Sequence, residues 1–322
     1  MKKISKTLYK QVQPWERFLI LCDLDGTLLD NKSKISTYTR DVIKRIVAEG
    51  HIFVLISGHT PHATLHHYKQ LGLKHLMCNL NGAYIWNPSD KKFPSVNLCF
   101  NWNIAVDILS SHKIMQYVKN FAVENYKGTY MKYIPKAESE LKELTRAFRI
   151  RNNQKISLCK SDLSNLFKVD CHSILLQLKS QSKEMLNKLI YELHSFSKKL
   201  NSHVWFDPEV GYLVEISTRF VTKPTALTYL SNYYSIPLEQ CVVFGDGDND
   251  IVMLKNAIYS FAMANASIPV KLAARYITKF ANDNDGVART LDYLDKSLAR
   301  SLHAVKRKIK SEHAEIERLT KR

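Results

Sequence analysis

The stretch that decides the fold lies at residues 18–27 and reads Phe18-Leu19-Ile20-Leu21-Cys22-Asp23-Leu24-Asp25-Gly26-Thr27. Its first half is an unbroken apolar run, which is typical of a strand buried on both faces. Asp23 and Asp25 then follow one residue apart and lead into a Gly-Thr turn. Because buried carboxylates need a cation or hydrogen-bond donors nearby, the pair indicates a metal-dependent site at the carboxyl end of a parallel strand.

A second stretch of the same form lies at residues 241–250, where an apolar run leads into Gly245-Asp246-Gly247-Asp248-Asn249-Asp250. If both strands are central and parallel, Asp23, Asp25 and Asp246 meet at one edge of the sheet. Oxygen ligands from that edge, together with waters and a phosphate, suit octahedral Mg²⁺. A calcium-binding loop is excluded, because its glycine and glutamate positions hold Ile251 and Ala257 here.

The order of helices and strands around these stretches predicts a Rossmann-like α/β fold with a parallel sheet. Helical patterns over 37–49 and 61–71 alternate with strand patterns over 51–56 and 75–78. Strands and charged helices mix irregularly after about residue 84, and the α/β alternation resumes near residue 213. The predicted organisation is an N-terminal extension at 1–17, a core at 18–83 and 213–294, an inserted α+β domain at 84–212, and a C-terminal helix at 295–322.

Composition limits the setting in which the protein works. The 322 residues carry 47 Lys+Arg against 30 Asp+Glu, a net charge of +17. We favour basic surface helices as the explanation of this charge over binding of a polyanionic partner. The six cysteines lie far apart with no metal-ligand spacing, which is typical of a reducing compartment. Neither a signal peptide nor an apolar run long enough to cross a bilayer is present, so the predicted location is cytoplasmic.

The C-terminal segment at 295–322 combines an apolar stripe with a basic face. Its apolar positions recur at alternating spacings of four and three and include Leu298, Leu302, Val305 and Ile309. This pattern predicts an amphipathic helix that packs on its own domain or, in an oligomer, on a partner subunit. Binding of nucleic acid or an anionic membrane is the second interpretation, and only this basic tail carries it.

Two further features are candidates for phosphate binding, although each is weak evidence by itself. Ser57-Gly58 ends the second predicted strand and offers a hydroxyl and a backbone N–H to a phosphate oxygen. Lys223, in Thr222-Lys223-Pro224-Thr225, begins a predicted helix, where a lysine is ordinarily a solvated surface residue.

Taken in chain order, the first acidic stretch, Ser57-Gly58, Lys223 and the second acidic stretch resemble the motifs of the haloacid dehalogenase (HAD) superfamily. The resemblance is specifically to its Cof-type phosphatases with an α/β (type II) cap. The strand with DxDGT matches Asp23 to Thr27, the strand ending in Ser/Thr-Gly matches Ser57-Gly58, the lysine matches Lys223, and GDGxND matches Gly245 to Asp250. The resemblance covers about residues 18–294. It implies a parallel sheet of the HAD type, with the inserted domain as the cap.

The resemblance also implies roles. Asp23 is the expected nucleophile, which forms an aspartyl-phosphate, and Asp25 the expected general acid and base. The expected Mg²⁺ ligands and their support are Asp23, Asp25 (through its backbone carbonyl), Asp246 and Asp250. The residues expected to hold the phosphoryl oxygens are Leu24, Ser57, Gly58, Lys223 and Asn249.

The chain departs from the family pattern after the second motif. Many relatives have Gly-Arg there, whereas this chain has Gly58-His59, followed by His62, His66 and His67. We interpret these histidines as part of a polar helix near the cleft and not as a metal site, because no nearby carboxylate completes a ligand set. The departure bears on substrate recognition near His59. Pro224 replaces a commoner glycine, and proline suits the first turn of a helix.

The predicted function is a Mg²⁺-dependent phosphatase for a small phosphorylated metabolite, with a sugar phosphate as the favoured class. Alternatives within the family are a phosphatase for flavin or pyridoxal phosphate and a phosphotransferase or mutase. An alternative of another class is a basic binding protein that uses the fold as a scaffold and its tail as the binding element. Specificity is expected to reside in the cap, where no motif identifies the substrate.

Overall fold

A computed structural model of the chain describes residues 17–294, apart from 149, 151–155, 167, 170, 197–199 and 220. The predicted C-terminal helix at 295–322 and nearly all of the N-terminal extension lie outside the described residues. The strands are β1 Leu19–Cys22, β2 Ile52–Leu55, β3 Met77–Asn79, β4 Tyr84–Trp86, β5 Val96–Asn97, β6 Val118–Asn125, β7 Gly128–Met131, β8 Ile156–Leu158, β9 Ser173–Leu178, β10 Leu200–Asp207, β11 Gly211–Thr218, β12 Cys241–Gly245, β13 Tyr259–Ala262 and β14 Tyr276–Ile277. The helices are α1 Thr37–Ala48, α2 Pro61–Leu71, α3 Trp102–Ser110, α4 His112–Met115, α5 Glu138–Ala147, α6 Lys183–Phe196, α7 Lys223–Tyr234, α8 Ile251–Asn256, α9 Ile268–Ala273 and α10 at 286–294.

A five-stranded parallel sheet, in the order β14-β13-β12-β1-β2, carries the first half of the fold. Every residue of β1 is buried, as expected for a central strand whose two faces are both covered by helices. The register pairs Cys22 with Phe244, so β1 and β12 end side by side. The predicted α/β class with a parallel sheet is confirmed, and both acidic stretches leave the sheet at the same edge.

The strand predicted at 75–78 pairs differently from a regular member of the parallel sheet. It meets the end of β2 only through a parallel bridge between Ile56 and Cys78, and its main ladder runs antiparallel with β4. The side chains of Ile85 and Trp86 on β4 pack in the hydrophobic cluster of the parallel sheet. Residues 84–97, which the sequence analysis assigned to the inserted domain, therefore pack with the core.

The second half of the fold is a six-stranded sheet in the order β10-β11-β9-β6-β7-β8, which is antiparallel except between β7 and β8. All of its strands lie in the chain between β5 and α7. Apolar side chains that alternate along β6, β9 and β11 pack one face of this sheet against α3, α4 and α6. The opposite face packs against α5 through a smaller cluster that includes Leu144, Leu175 and Leu213.

All six cysteines are free thiols, in agreement with their spacing in the sequence. Within the described part of the chain, no helix has the length and apolarity needed to span a membrane.

Candidate active site

The Asp23–Thr27 turn and the loop after β12 interlock. Gly26 adopts a φ of 73°, in the left-handed region that favours glycine, and a Cβ at this position would overlap Oδ2 of Asp246. Thr27 Oγ1 donates a hydrogen bond of 2.7 Å to Oδ1 of Asp246. The first acidic motif therefore positions a carboxylate of the second.

Asp250 organises the second acidic loop from inside. Its carboxyl group is fully buried, and Oδ2 accepts hydrogen bonds from the backbone N–H groups of Asp246 (3.1 Å) and Gly247 (3.0 Å). A Cβ on Gly245 would collide with this carboxyl group, so glycine is required for the close approach. The loop is therefore folded around one buried carboxylate.

Lys223 is the buried cation of the site. It is the first residue of α7, whose N-terminus is capped by Thr222 and Thr225 and holds Pro224 in its first turn. Its Nζ donates to Oδ1 of Asp23 (2.5 Å) and to Oδ1 of Asp250 (2.6 Å). Burial lowers the pKa of Lys223, but the charges of the two carboxylates outweigh burial and raise it, so the ammonium stays protonated.

Three carboxylates could hold a metal ion here. Asp23, Asp246 and Asp250 offer oxygens that all lie within 4.8 Å of one another. Burial raises the pKa of Asp23 to about 7, against the opposing charge of Lys223, and burial also raises the pKa of Asp246 to about 6. Such carboxylates gain from a bound cation, and an oxygen-only set fits a hard divalent ion such as Mg²⁺.

The three carboxylates are not equivalent as ligands. Both oxygens of Asp250 already accept hydrogen bonds, one from Lys223 and the other from backbone N–H groups. Asp250 is therefore better suited to support the site than to bind the ion directly, whereas Asp23 and Asp246 line the cleft.

Asp25 lies at the mouth of the site and contacts His59. The Asp25 side chain is 45 % exposed, and its Oδ2 lies 2.6 Å from Nε2 of His59, within hydrogen-bond distance. The backbone of His59 is itself fixed, because its N–H donates to Ser57 Oγ (3.1 Å) and its carbonyl accepts from Asn79 Nδ2 (3.0 Å). A rigid loop thus presents an imidazole to the predicted acid and base.

Ser57, Gly58 and Asn249 line the same cleft as the carboxylates. Asn249 Nδ2 donates to Oδ1 of Asn81 (3.0 Å), and a Cβ on Gly58 would come within 3.3 Å of that oxygen. The side chain of Leu24 is fully buried, so only its backbone can face a ligand. The structure thus brings all the predicted site residues to one edge of the parallel sheet.

The cleft has a volume of about 710 Å³ and lies between the parallel sheet and the inserted segment. Its roof comes from α5 and the six-stranded sheet, through the side chains of Glu124, Lys142, Thr145, Arg146, Leu175, His203, Trp205 and Glu215. A small phosphorylated molecule can be enclosed in a space of this size.

Sequence reasoning missed several supports of the site. Asn265 Nδ2 donates to the carbonyl of Gly26 (2.8 Å), and Asn282 Nδ2 donates to that of Leu29 (2.9 Å). Neither asparagine was assigned a role from the sequence. The contacts of Thr27 and His59 left no signal in the sequence, because their partners lie on other loops.

The four histidines do not converge on one site, although the rings of His66 and His67 lie 3.6 Å apart. His59 contacts Asp25, His66 lines the cleft, and His62 is exposed. His67 is buried, and burial, the largest effect, lowers its pKa to about 4. Within the described residues, the group of possible metal ligands consists of aspartates and contains none of these histidines.

Comparison with known proteins places the chain in a family. The sequence profile of the haloacid dehalogenase-like hydrolases matches residues 20–291, so the chain belongs to that family. Among curated relatives, a 5-amino-6-(5-phospho-D-ribitylamino)uracil phosphatase of Bacillus subtilis, YitU, is 29 % identical over 277 residues, which cover 85 % of this chain and 96 % of the relative. A putative phosphatase of Metamycoplasma hominis is 28 % identical over 290 residues, covering 88 % and 99 %.

Solved structures agree with this assignment. A haloacid dehalogenase-like hydrolase from B. subtilis superposes with a TM-score of 0.68 at 26 % identity, covering 86 % of this chain and 99 % of that one. Another from Bacteroides thetaiotaomicron superposes with a TM-score of 0.70 at 24 % identity, with the same coverage, and supports the fold.

Proposed function

We propose that the protein is a Mg²⁺-dependent phosphatase that hydrolyses a small phosphorylated metabolite through an aspartyl-phosphate intermediate. The observation that carries this proposal is the meeting of Asp23, Asp246, Asp250 and Lys223 at one sheet edge, facing a cleft of about 710 Å³. Family membership and relatives named as phosphatases support it.

In the proposed first step, a carboxylate oxygen of Asp23 attacks phosphorus, and the bond from phosphorus to the leaving oxygen breaks. Asp25 gives its proton to the leaving alkoxide. Asp25 then takes a proton from the water that attacks the aspartyl-phosphate, which releases phosphate and restores Asp23. The exposed position of Asp25, against the buried one of Asp23, suits a group that exchanges protons with solvent.

The other site residues would bind the metal ion and the phosphoryl group. Asp23, the carbonyl of Asp25, and Asp246 would bind Mg²⁺, with Asp250 in support; the ion would offset the repulsion between the anionic nucleophile and the phosphate. Ser57, Gly58, Lys223, Asn249 and the backbone at Leu24 would bind the phosphoryl oxygens. Asn81, which holds the Asn249 amide, joins this set as a positioning residue.

We further propose that the six-stranded sheet and its helices act as the cap that closes the cleft and excludes water. Because residues 84–97 pack with the core, we place the start of this cap near residue 98 and not at 84. The cytoplasm remains the proposed location, and free cysteines support a reducing compartment.

A sugar phosphate is the proposed substrate class, because the cleft combines phosphate-binding groups with polar side chains on its roof. A phosphate ester with a flat ring, such as the uracil compound for which the relative YitU is named, is the second candidate. It is favoured by Trp205, whose Nε1 donates to the carbonyl of Ala147 (3.1 Å) and fixes the indole at the cleft.

Release of phosphate from p-nitrophenyl phosphate, with and without Mg²⁺, tests the proposed activity. We expect Mg²⁺-dependent turnover in the wild type, a loss of at least about 1,000-fold in Asp23→Asn, and no loss in the exposed control Asp41→Asn. Equal turnover in Asp23→Asn and wild type would exclude Asp23 as nucleophile. Comparison of kcat/KM over a panel of sugar phosphates and flavin-type phosphates then identifies the substrate class.

A further inference from the structure

Three consecutive residues between β3 and β4 adopt left-handed backbone conformations. Leu80 (φ 53°), Asn81 (φ 55°) and Gly82 (φ 95°) form this left-handed turn. Glycine adopts such a conformation freely and asparagine tolerates it, but a leucine in it is strained. Strained residues persist where the surrounding structure holds them, and they concentrate at functional sites. The contacts that hold Leu80 are therefore of functional interest.

The left-handed turn supports the proposed phosphate site. Oδ1 of Asn81 accepts the hydrogen bond of Asn249 Nδ2 (3.0 Å), and Asn81 itself lines the cleft. The backbone N–H of Asn81 donates to the carbonyl of Ser57 (3.0 Å), and that of Leu80 donates to the carbonyl of His59 (3.1 Å). Groups from both phosphate-binding loops thus contact the turn, so a shift of its backbone would move the partner of the Asn249 amide.

The side chain of Leu80 is held by residues from both halves of the fold. It is buried in a small apolar cluster with Ala83 and Val221, and the rings of Tyr84 and Tyr126 pack against this cluster. Tyr84 belongs to β4, which packs with the parallel sheet, whereas Tyr126 lies in the turn between β6 and β7 of the six-stranded sheet. The cluster that holds the strained leucine is therefore packed in part by a ring from the inserted segment.

The rings of Tyr84, Tyr126 and His172 form a ring cluster that joins the two halves. Tyr84 and Tyr126 stack with their centroids 4.9 Å apart and an interplanar angle of 8°. The buried His172 stands nearly perpendicular to both tyrosine rings, at 6.3 Å and 6.1 Å, and its Nε2 lies 2.6 Å from Oδ1 of Asn97 at the end of β5. The ring cluster thus fixes the inserted segment to the core beside the left-handed turn.

Both passages of the chain between the two halves run past this ring cluster. On the way into the inserted segment, Phe100 forms an antiparallel bridge with Cys171, which precedes His172. On the way back, Val221 lies in the apolar cluster against which the two tyrosines pack. A movement of the inserted segment relative to the core would therefore act on the ring cluster.

We propose that the ring cluster positions Asn81, and through it Asn249, so that the phosphate site is complete only when the inserted segment is seated on the core. The inference rests on the proposed phosphatase function. Loss of the stacked ring would loosen the packing around Leu80 and let the left-handed turn relax toward an unstrained backbone. Asn81 would move with the turn and Asn249 would lose its partner, which would weaken the binding of phosphate. Tyr126 is in this sense a positioning residue supplied by the inserted segment.

A double-mutant cycle between Tyr126 and Asn81 tests the proposal in the full-length protein. Tyr126→Leu removes the stacked ring and keeps an apolar side chain, and Asn81→Gly removes the amide while it permits the left-handed backbone. Tyr126→Phe keeps the ring and is the rescue variant, and Tyr191→Leu, at an exposed position of α6, is the matched control. Each variant is assayed with Mg²⁺ for kcat/KM on p-nitrophenyl phosphate and for competitive inhibition by inorganic phosphate.

We expect Tyr126→Leu to lower kcat/KM, and to raise the inhibition constant for phosphate, by about 5-fold, which is within the range for one aromatic pair. Asn81→Gly should lower kcat/KM about 10-fold, as expected for one hydrogen bond. The double variant should stay within about twofold of Asn81→Gly, because Tyr126 acts through Asn81, whereas independent effects would multiply to about 50-fold. Tyr126→Phe and Tyr191→Leu should both stay within about twofold of wild type.

A loss from Tyr126→Leu that is just as large in the Asn81→Gly background would overturn the proposal, because the ring would then act by another route. Wild-type values in Tyr126→Leu, or an equal loss in Tyr126→Phe, would overturn it as well. If Tyr126→Leu does not fold, Tyr126→Met, which fills more of the same space, takes its place in the cycle. Absence of Mg²⁺-dependent hydrolysis by the wild type would instead contradict the proposed function, so the two failures are distinguishable.

Discussion

Replacement of Lys223 by methionine tests the charge balance of the site. Methionine keeps most of the apolar stem and removes the ammonium that bonds to Asp23 (2.5 Å) and Asp250 (2.6 Å). Two buried carboxylates then lose their cation, and breaking a buried ion pair costs about 3–5 kcal/mol of the free energy of unfolding. At about 2–4 °C per kcal/mol, the melting temperature should fall by roughly 6–20 °C.

The loss should depend on pH and on metal. Without the ammonium, the pKa of Asp23, already raised to about 7, rises further, so protonation relieves the buried charge at low pH. A carboxyl group with a raised folded-state pKa stabilises the fold at low pH and loses that contribution as pH rises through the folded-state value. The variant should therefore be least stable, relative to wild type, at pH 8. Without the ammonium the carboxylates should bind Mg²⁺ more tightly than in wild type. Mg²⁺ at about 100 times the Kd of the variant stabilises it by about 2.7 kcal/mol and wild type by less, so the loss relative to wild type should shrink.

Urea unfolding at pH 6 and pH 8, with EDTA or with Mg²⁺, measures these effects. Lys255→Met, at an exposed position of α8, is the control and should stay within about 0.5 kcal/mol of wild type. If Lys223→Met lost less than about 1 kcal/mol at pH 8 in EDTA, or lost the same amount with Mg²⁺, the described balance of charges would be refuted.

Three further predictions follow from individual contacts. His59→Ala should lower kcat about 10-fold or more for alkyl phosphates, because their leaving group needs a proton from Asp25. The loss should be much smaller for p-nitrophenyl phosphate, whose leaving group needs little protonation. Equal losses on both substrates would exclude an effect of His59 through Asp25. Gly26→Ala should lower the free energy of unfolding by about 1–2 kcal/mol, because alanine is strained in the left-handed backbone region. The new Cβ would also displace Asp246, so a titration of rate against Mg²⁺ should show that a higher Mg²⁺ concentration is needed for activity. Burial lowers the pKa of His67 from 6.5 to about 4, so between these pH values the unfolded chain binds a proton that the folded chain does not. The free energy of unfolding, measured by denaturation curves, should therefore fall by up to about 3 kcal/mol as the pH is lowered from 6.5 to 4. His67→Gln should make the free energy of unfolding less dependent on pH in this range.

Local sequence signals predicted the parallel half of the fold well. The strands β1 and β12 are buried on both faces, so their sequences are continuous apolar runs without alternating polar residues. The helix α2 spans Pro61–Leu71, as its pattern indicated. The acidic motifs follow directly from those runs, so their place at the sheet edge could be inferred. Pairing was harder: β3 was predicted as a regular member of the parallel sheet, but its partner β4 decides its ladder.

The inserted segment was predictable only as a mixture. The strand-like runs at residues 173–178, 204–206 and 212–216 became β9, β10 and β11. The strand β6 was not recognised, because its place in the sheet depends on long-range pairing with β9. The same limit applies inside the site. Lys223 was expected to meet phosphate, and its contacts with Asp23 and Asp250 come from loops 200 and 27 residues away along the chain. Contacts of this kind depend on the tertiary fold and leave no local pattern.

Asp23 is the residue proposed to carry the transferring phosphoryl group. Acid quenching of the enzyme during turnover of a radiolabelled phosphomonoester, followed by peptide mapping, tests it most directly, because acyl phosphates survive brief acid treatment and hydrolyse in base. We expect base-labile label on the peptide that contains Asp23; this label should depend on Mg²⁺ and be absent from Asp23→Asn. Label on another residue, or the same label in Asp23→Asn, would contradict it.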